Sequence, residues 1–423
     1  MIPIDEDRAL AELRELATFG KAGRGVNRPA FSDADIAGRE WLADRMRGCG
    51  LEAAVDRVGT VYGRAPAAKA TVLLGSHSDS VPMGGWLDGA LGVIFALEVA
   101  RSHQASNPSA SVGIDVVSFS DEEGTFLACM GSRTFCGLLS PDDLAHPRVA
   151  SGQSLLDRIE ALGLAKRAQA QFDSARHLAY LEAHIEQGPK LIKTGADIGI
   201  VTGIVGLRRF RISFQGQADH AGTTPMTMRR DAAAALFSFA VAMPERLSAT
   251  GSADSVWNLG IVTVKPGAAN VVASDAELVV EFRDVSAATI LRMEEALGAL
   301  VAECDNVGGV SVSAQLIGAI EPTAMDGRLL ERLEAAAAVE GARSLRMPSG
   351  AGHDAMIVGR RAPAAMLFVP SIDGRSHDLS EDTAEEDIRR GLRVYSRAVD
   401  SMLEALGPDG AGGLGTQTRL GET

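Results

Sequence analysis

Two apolar runs with a helical segment between them constrain the fold of this chain more than any other feature. The runs cover residues 71–74 and 112–119, and the pattern between them predicts a helix from Gly92 to about Arg101. A strand–helix–strand order predicts an α/β core whose strands are covered by helices on both faces. Because ligands bind at the carboxyl ends of strands in such sheets, polar residues directly after these runs are candidates for a functional site.

The hydrophobic pattern changes after Gly206 and then returns. Residues 208–215 alternate as a half-buried strand, and the elements that follow complete a β-α-β-β-α-β order, which is ferredoxin-like. These elements are a helix at about 231–246, strands near 256–264 and 277–283, a helix at about 287–303 and a strand near 310–316. The α/β pattern then resumes with a helix near 328–340, a strand at 364–369 and a helix at 384–406. The sequence therefore predicts a discontinuous first domain (1–206 and 325–406), an inserted domain (207–324) and a disordered, glycine-rich tail (407–423).

Composition narrows the class of protein. The 423 residues suffice for two domains, and a hydrophobic content of 46% suffices for a large core. A net charge of −14 argues against nucleic acid or an anionic membrane as the partner. The four cysteines form no CxxC motif, no signal peptide is recognisable, and no apolar run approaches membrane-spanning length. These features predict a reduced, cytoplasmic protein.

The polar segments after the two apolar runs contain the residues of a metal site. His77 follows the first run, Asp88 lies in a glycine-rich turn, and Glu122 and Glu123 follow the second run. Imidazole nitrogen and carboxylate oxygen bind divalent metals. Of two adjacent glutamates, one can be a metal ligand and the other a general base. Asp79 stands two residues after His77, so its side chain is predicted to hold the second imidazole nitrogen as an outer-shell partner. Ordinary turns and a solvated acidic loop are the alternatives.

Four later segments carry further histidines, each with a structural alternative. His184 lies on an alternating segment that would equally suit a polar edge strand, and His220 lies in a turn that would equally cap a helix. His353 and His377 lie in loops beside apolar elements, and His377 is expected at the same sheet edge as the other candidates. The remaining histidines are interpreted as structural, namely His103, His146 and His177.

These motifs, in this order, resemble the M20-type metal-dependent amidohydrolases of the hydantoinase/carbamoylase branch. The resemblance covers nearly the whole chain except the tail. The motifs are GSHSDS, GGWLDG, DEEGTF with GSR, HIEQG, DHAGTTPM, SGAGHDA and the SH pair at 376–377. The branch includes N-carbamoyl-L-amino acid hydrolases, allantoate amidohydrolases and β-ureidopropionases. The resemblance implies a metallopeptidase-like α/β catalytic domain with a mixed sheet, plus an inserted lid and dimerisation domain.

The resemblance also implies the roles of individual residues. Two divalent ions per subunit (Mn, Zn, Co or Ni) would be held by His77, Asp88, Glu123, His184 and His377, with Asp88 bridging. Glu122 would be the general base, and His220 would reach the active site in the family dimer. Gln187, Asn270, Arg283 and Gly352 would contact a small carboxylate-bearing ureido substrate. The chain departs from the family's common motifs at a few positions, none of which is a ligand. These positions are Ser78, Ser80, Met83 and the Asp378–Leu379 pair.

The implied enzyme is a cytoplasmic, homodimeric hydrolase of N-carbamoyl-L-amino acids that releases ammonia and carbon dioxide. Allantoate amidohydrolase is an alternative with the same chemistry. A metallopeptidase or deacylase on the same fold is a further alternative. His184 and the Asn270/Arg283 pair argue against it. A non-catalytic binding protein is disfavoured because Glu122 is intact beside five candidate ligands.

Overall fold

The computed structural model describes residues 2–406, which divide into two compact units. The first unit comprises residues 2–202, 325–347 and 352–406, and the second comprises residues 203–324 and 348–351. The first boundary falls four residues before the predicted one, and residues 348–351 group with the second unit rather than the first. The predicted disordered tail at 407–423 lies outside the described residues.

The chain alternates between short strands and helices of varied length. The strands are β1 (Lys21–Ala22), β2 (Gly25–Val26), β3 (Glu52–Val55), β4 (Val61–Arg64), β5 (Ala70–His77), β6 (Val112–Phe119), β7 (His177–Ile185), β8 (Ile198–Ile204), β9 (Gly206–Gln215), β10 (Val256–Lys265), β11 (Asp275–Asp284), β12 (Ser311–Ile320), β13 (Thr323–Ala324), β14 (Ser344–Ser349) and β15 (Ala364–Val369). The α-helices are α1 (Glu6–Leu16), α2 (Asp33–Gly48), α3 (Ala90–Ser106), α4 (Met130–Phe135), α5 (Pro141–Ala145), α6 (Leu155–Ala161), α7 (Lys190–Thr194), α8 (Ala232–Thr250), α9 (Ala287–Cys304), α10 (Gly327–Val339), α11 (Asp354–Val358) and α12 (Glu385–Leu406).

A mixed sheet in the order β8-β15-β7-β5-β6-β4-β3 is the centre of the first unit, and β14 also pairs with β8. The middle strands β15, β7, β5 and β6 run parallel, so their carboxyl ends lie at one edge. Strands β5 and β6 are buried along nearly their whole length, as their largely apolar sequences predict. The predicted mixed α/β fold is confirmed.

One glycine in β5 is required by close backbone approach. A Cβ atom on Gly75 would lie 1.9 Å from the carbonyl oxygen of Val117 in the neighbouring strand. Only a residue without a side chain permits this spacing two residues before His77. Helix α3 follows β5 and packs against both β5 and β6, which places the loop between β5 and α3 above the sheet edge.

The second unit contains the β9-α8-β10-β11-α9-β12 succession. Its sheet has the order β10-β11-β9-β12, and every neighbouring pair is antiparallel. The alternation predicted for β9 is present, because Phe210, Ile212 and Phe214 are buried in one core with residues of α8 and α9. This arrangement is the ferredoxin-like one.

Within residues 2–406, no helix combines the length and the apolar composition needed to cross a membrane.

Candidate metal centre

The parallel strands of the first unit bring three of the predicted ligands to one sheet edge. His77 is the last residue of β5 and pairs in register with Phe119, the last residue of β6. Glu122 and Glu123 follow that end of β6, and His184 lies one residue before the end of β7. Residues that are more than 100 positions apart in the sequence therefore meet because their strands point in the same direction.

Asp88 is at the centre of this group of residues. Its Oδ1 atom lies 3.1 Å from Nε2 of His184 and 3.5 Å from Nε2 of His77. Its Oδ2 atom lies 3.4 Å from Nε2 of His377. Its side chain is buried, with 4% of its surface exposed, and its carboxylate meets the buried imidazoles of His77 and His184 and the half-exposed imidazole of His377.

Two sets of three ligand atoms can each hold one metal ion. The first set is His77, Asp88 and His184, and the second is Asp88, Glu123 and His377. Within each set the ligand atoms lie within 4.8 Å of one another. Nε2 of His377 is 3.5 Å from Oε2 of Glu123. Asp88 belongs to both sets, and the two sets together contain all five predicted ligands.

Backbone carbonyls orient two of the histidines. Nδ1 of His184 lies 2.9 Å from the carbonyl oxygen of Ile185, and Nδ1 of His77 lies 3.1 Å from that of Asp79. A hydrogen bond at Nδ1 leaves the lone pair of Nε2 directed into the site, which is the usual arrangement for a metal-bound histidine. In His184 that atom accepts from the backbone N–H of Gly89 at 3.1 Å.

The Asp79 side chain has a different contact from the predicted one. Its Oδ1 atom lies 4.0 Å from Nδ1 of His77, beyond hydrogen-bond distance, and accepts instead from Arg39 at 3.0 Å. Its Oδ2 atom accepts from the backbone N–H of Glu123 at 3.2 Å. The buried Arg39 guanidinium draws the carboxylate away from the imidazole, so the carboxylate holds the Glu123 loop and the backbone carbonyl holds His77.

The chemistry of the site suits bound cations. Burial, and then the nearby Asp88 carboxylate, raise the pKa of Glu123 to about 7. Burial also raises the pKa of Glu122 well above its usual range. The Oε1 atom of Glu123 is buried and has no hydrogen-bond partner among the described residues. Crowded carboxylates with an unpartnered buried oxygen are costly by themselves, and positive metal ions remove that cost.

Gly89 makes room for the first ligand set. Its φ is +65°, and a Cβ atom there would lie 2.4 Å from Nε2 of His77. Any side chain would therefore enter the space of the ligand atom, in a backbone conformation that already favours glycine. The Asp88–Gly89 pair is thus part of the site rather than an ordinary turn.

Glu122 lies beside the ligand sets and belongs to neither. Its Oε2 atom is 3.7 Å from Nε2 of His77, and its side chain is 11% exposed. The thiol of Cys129 lies 3.6 Å from its Oε1 atom. A carboxylate next to the ligand atoms but outside both sets can accept a proton from water, which is the role predicted for it.

The predicted substrate contacts are distributed over both units. In the first unit, Nε2 of Gln187 donates to Asp88 Oδ2 at 2.8 Å, so its amide contacts a metal ligand. Gly352 comes just before His353, whose buried ring lies 4.5 Å from that of His184.

The second unit contains the other predicted contacts. The exposed His220 and Asn270 lie on adjoining segments, because the N–H of Ala221 donates to the carbonyl of Asn270 at 3.0 Å. Arg283 donates to Glu281 and to the carbonyl of Gly350. His220, Asn270 and Arg283 therefore belong to one compact unit, and their substrate roles stay predictions.

Sequence reasoning missed several residues that surround the ligands. Arg39 holds Asp79, Ser376 donates to Asp88 Oδ2 at 2.9 Å, and Glu381 accepts from the backbone of the Asp88 turn. The position of Ser376 directly before His377 is the only signal in the sequence that could have indicated one of them.

Comparisons with known proteins identify the family of the chain. The profile of peptidase family M20/M25/M40 matches residues 73–401. An N-carbamoyl-L-amino-acid amidohydrolase of Paenarthrobacter aurescens is 32% identical over 405 residues, which cover 94% of this chain and 98% of that protein. An allantoate amidohydrolase of Bacillus subtilis (strain 168) is 33% identical over 397 residues, covering 90% and 94%. The crystal structure of a hydantoinase/carbamoylase family amidase from Burkholderia phymatum has a TM-score of 0.90 and 43% identity, covering 96% of this chain and 99% of that one.

The fold is that of a family of hydrolases, and the two candidate ligand sets are suited to divalent metal. The chain belongs to peptidase family M20/M25/M40. Its relatives are amidohydrolases, which confirms the predicted class of enzyme, one that acts on carbon–nitrogen bonds other than peptide bonds.

Proposed function

We propose that this protein is a binuclear-metal amidohydrolase that hydrolyses the ureido group of an N-carbamoyl-L-amino acid, releasing ammonia and carbon dioxide. The observation that carries the proposal is the position of Asp88, which is common to both ligand sets. Glu122 lies beside these sets as a free carboxylate. Similarity to proteins named N-carbamoyl-L-amino-acid amidohydrolase supports the choice of a ureido substrate.

Each ligand set would hold one ion. His77 and His184 would complete the first site with Asp88, and Glu123 and His377 would complete the second. Manganese, zinc, cobalt and nickel all suit mixed imidazole and carboxylate ligands. Bound divalent cations would supply Lewis-acid polarisation of the ureido carbonyl and would lower the pKa of water at the site.

Glu122 would perform the proton transfers. Its carboxylate accepts a proton from the attacking water, and the resulting hydroxide oxygen adds to the ureido carbonyl carbon. The C–N bond then breaks, and Glu122 returns the proton to the leaving nitrogen. The carbamate or carbamic acid that remains releases carbon dioxide, so one N-carbamoyl amino acid and one water give one amino acid, one ammonia and one carbon dioxide.

Residues of the second unit would hold the substrate. Arg283 would bind the substrate carboxylate together with Asn270, and His220 would donate a hydrogen bond to the developing oxyanion. Glu281 supports this role, since its Oε1 atom accepts from Nε of Arg283 at 2.8 Å and lies 2.7 Å from Nη2, while Nη1 donates to the carbonyl of Gly350. The contact with Glu281 fixes one edge of the guanidinium and leaves other N–H groups for a ligand.

The function is tested by metal-stripped protein reloaded with manganese, zinc, cobalt or nickel. Ammonia release is measured with N-carbamoyl-L-amino acids, their D forms, N-carbamoyl-β-alanine and allantoate, and amine release is measured with a dipeptide. We expect metal-dependent turnover of the L-carbamoyl compounds and none after chelation. Turnover of allantoate alone would keep the site chemistry and change the substrate, as the 33% identity to an allantoate amidohydrolase would allow. Cleavage of the dipeptide alone would identify a metallopeptidase.

We also propose that the chain forms a homodimer through the second unit. Helix α8 exposes Phe237 and Val241, which are 57% and 82% exposed. Strand β10 is an edge strand of its sheet, and it exposes Val256, Ile261 and Val262. An open strand edge and large exposed apolar side chains are the features that an interface covers.

Replacing Val241 by glutamate is expected to shift the protein from dimer to monomer. A charge cannot be buried without a partner, so the substituted face would no longer associate. Light scattering coupled to size-exclusion chromatography measures the mass, and the exposed Val339→Glu on α10 of the first unit is the control. A monomeric wild type, or a dimer that survives Val241→Glu, would contradict the proposed interface.

A further inference from the structure

A buried glutamate that the proposed reaction does not use lies against the Asp88 turn. Glu381 is 2% exposed and lies 293 residues after Asp88 in the sequence. Its Oε1 atom accepts from the backbone N–H groups of Leu87 and Asp88, at 3.1 Å each. One carboxylate oxygen thus fixes the two consecutive peptide groups from which the Asp88 side chain projects.

The other oxygen of Glu381 reaches the Asp88 side chain through a hydroxyl. The Oγ atom of Ser376 lies 2.9 Å from Oε2 of Glu381 and 2.9 Å from Oδ2 of Asp88, and its single proton can be donated to one of these two oxygens at a time. Gln187 adds a further donor to the same Asp88 oxygen at 2.8 Å. Glu381 therefore holds the backbone of Asp88, and Ser376 and Gln187 hold its carboxylate.

Gly85 leaves the space that the Glu381 carboxyl group occupies. A Cβ atom on Gly85 would lie 1.9 Å from the carboxyl carbon of Glu381 and 1.9 Å from its Oε1 atom. The φ of Gly85 is not in the left-handed region, so an alanine could adopt the same backbone. What glycine provides at this position is room for the carboxyl group.

We propose that Glu381 is a positioning residue that fixes the Asp88 turn and thereby sets the affinity of both ligand sets for divalent cations. The inference rests on the proposed role of Asp88 as the shared ligand. Glu381 contacts no ion in this scheme, and it acts through the backbone of residues 87–88 and through Ser376. Outer-shell partners of this kind typically contribute about 10- to 100-fold to metal affinity.

The test is the affinity of the metal-free protein for Zn²⁺ and, in parallel, for Mn²⁺, measured by competition with a fluorescent chelator. Glu381→Ala removes both sets of contacts, and we expect its Kd to rise about 10- to 100-fold. Glu381→Gln keeps a carbonyl oxygen for the two backbone N–H groups and supplies an amide N–H to Ser376. The glutamine variant is therefore expected to bind metal within a few-fold of the wild type.

Gly85→Ala tests the same contact without changing Glu381. Its new methyl group would displace the carboxyl group, so we expect a loss of affinity similar to that of Glu381→Ala. In the double variant Gly85→Ala/Glu381→Ala the methyl group has nothing left to displace. Its Kd should therefore equal that of Glu381→Ala alone, rather than show the sum of two effects.

Asp326→Ala is the matched control for the loss of a carboxylate that holds two backbone groups. Oδ1 of Asp326 accepts from the N–H groups of Arg328 and Leu329 at the start of α10, and it contacts none of the metal ligands. Its removal is expected to lower the Tm of the metal-free protein and to leave Kd unchanged.

The outcomes separate this inference from the proposed function. A wild-type Kd in Glu381→Ala, or an equal loss in Glu381→Gln and Glu381→Ala, would overturn the positioning role while Asp88 remained a ligand. Additive losses in the double variant would also overturn it. A wild type that binds neither ion would overturn the proposed metal centre, and the role of Glu381 with it.

Discussion

Replacing Glu122 by glutamine is expected to lower kcat about 10³-fold while the protein keeps its metal ions. Glutamine has the shape of glutamate, but its amide cannot accept a proton from water or return one to a leaving nitrogen. Glu122 belongs to neither ligand set, although its Oε2 atom lies 3.7 Å from Nε2 of His77. The substitution should therefore remove the base without removing a ligand.

The neighbouring Glu123→Gln variant is the matched control. It makes the same chemical change one residue away, at a position that belongs to the second ligand set. We expect it to lose both activity and metal, whereas Glu122→Gln loses activity alone. Ammonia release gives kcat, and inductively coupled plasma mass spectrometry gives the metal content of the same samples. If Glu122→Gln retained a tenth or more of the wild-type kcat, another group would be the base.

The central strands could be predicted from the sequence because they are buried along nearly their whole length. The predicted runs at 112–119 and 364–369 have the observed bounds of β6 and β15, because both strands are rich in apolar residues and lie inside the sheet. Strand β8 was not predicted. Its sequence, IGIVTGI, is interrupted by two glycines, and a Cβ atom on Gly199 would lie 3.0 Å from side chains of β15 and β14. Those glycines reflect packing between strands that are distant in sequence.

The types of ligand were predictable because they follow from strand ends. His77 and Glu123 come directly after apolar runs, and parallel strands bring such residues together. The alternating segment that carries His184 does not extend to Glu186, because β7 ends at Ile185. The Glu186 carboxylate accepts backbone N–H groups at the start of α7. A pattern of alternation does not show where a strand stops.

The supporting contacts were not predictable, because they depend on how distant loops meet. The Asp79 side chain was expected to contact His77, and only the structure shows that the buried Arg39, 40 residues earlier, accounts for one of its oxygens. Glu381 reaches the Asp88 turn across 293 residues. Such contacts leave no local periodicity in the sequence. The sequence therefore indicated the candidate ligands that the structure brings together, but not the groups that hold them in place.

Replacing Asp88 by asparagine is expected to empty both metal sites, whereas replacing a histidine should empty one. Asp88 is the only residue common to the two ligand sets found among residues 2–406. Asparagine preserves the shape of the side chain and removes the charge that lies between three imidazoles. His184→Asn should affect the first set alone, and His377→Asn the second alone.

Metal content after dialysis against a fixed concentration of free metal measures this difference. We expect about two ions per chain in the wild type, about one in each histidine variant and none in Asp88→Asn. His177→Asn is the control, because His177 is a buried histidine at the opposite end of the strand that carries His184. It should retain both ions.

The three variants also separate a shared ligand from two independent sites. If Asp88 served only one ion, Asp88→Asn would lose one ion and would match one of the histidine variants. If the two sites were strongly coupled, each histidine variant would lose both ions and would match Asp88→Asn. A bridging carboxylate alone explains the expected result, which is the loss of one ion in His184→Asn and in His377→Asn and of two ions in Asp88→Asn. One side chain then contributes a ligand atom to each site.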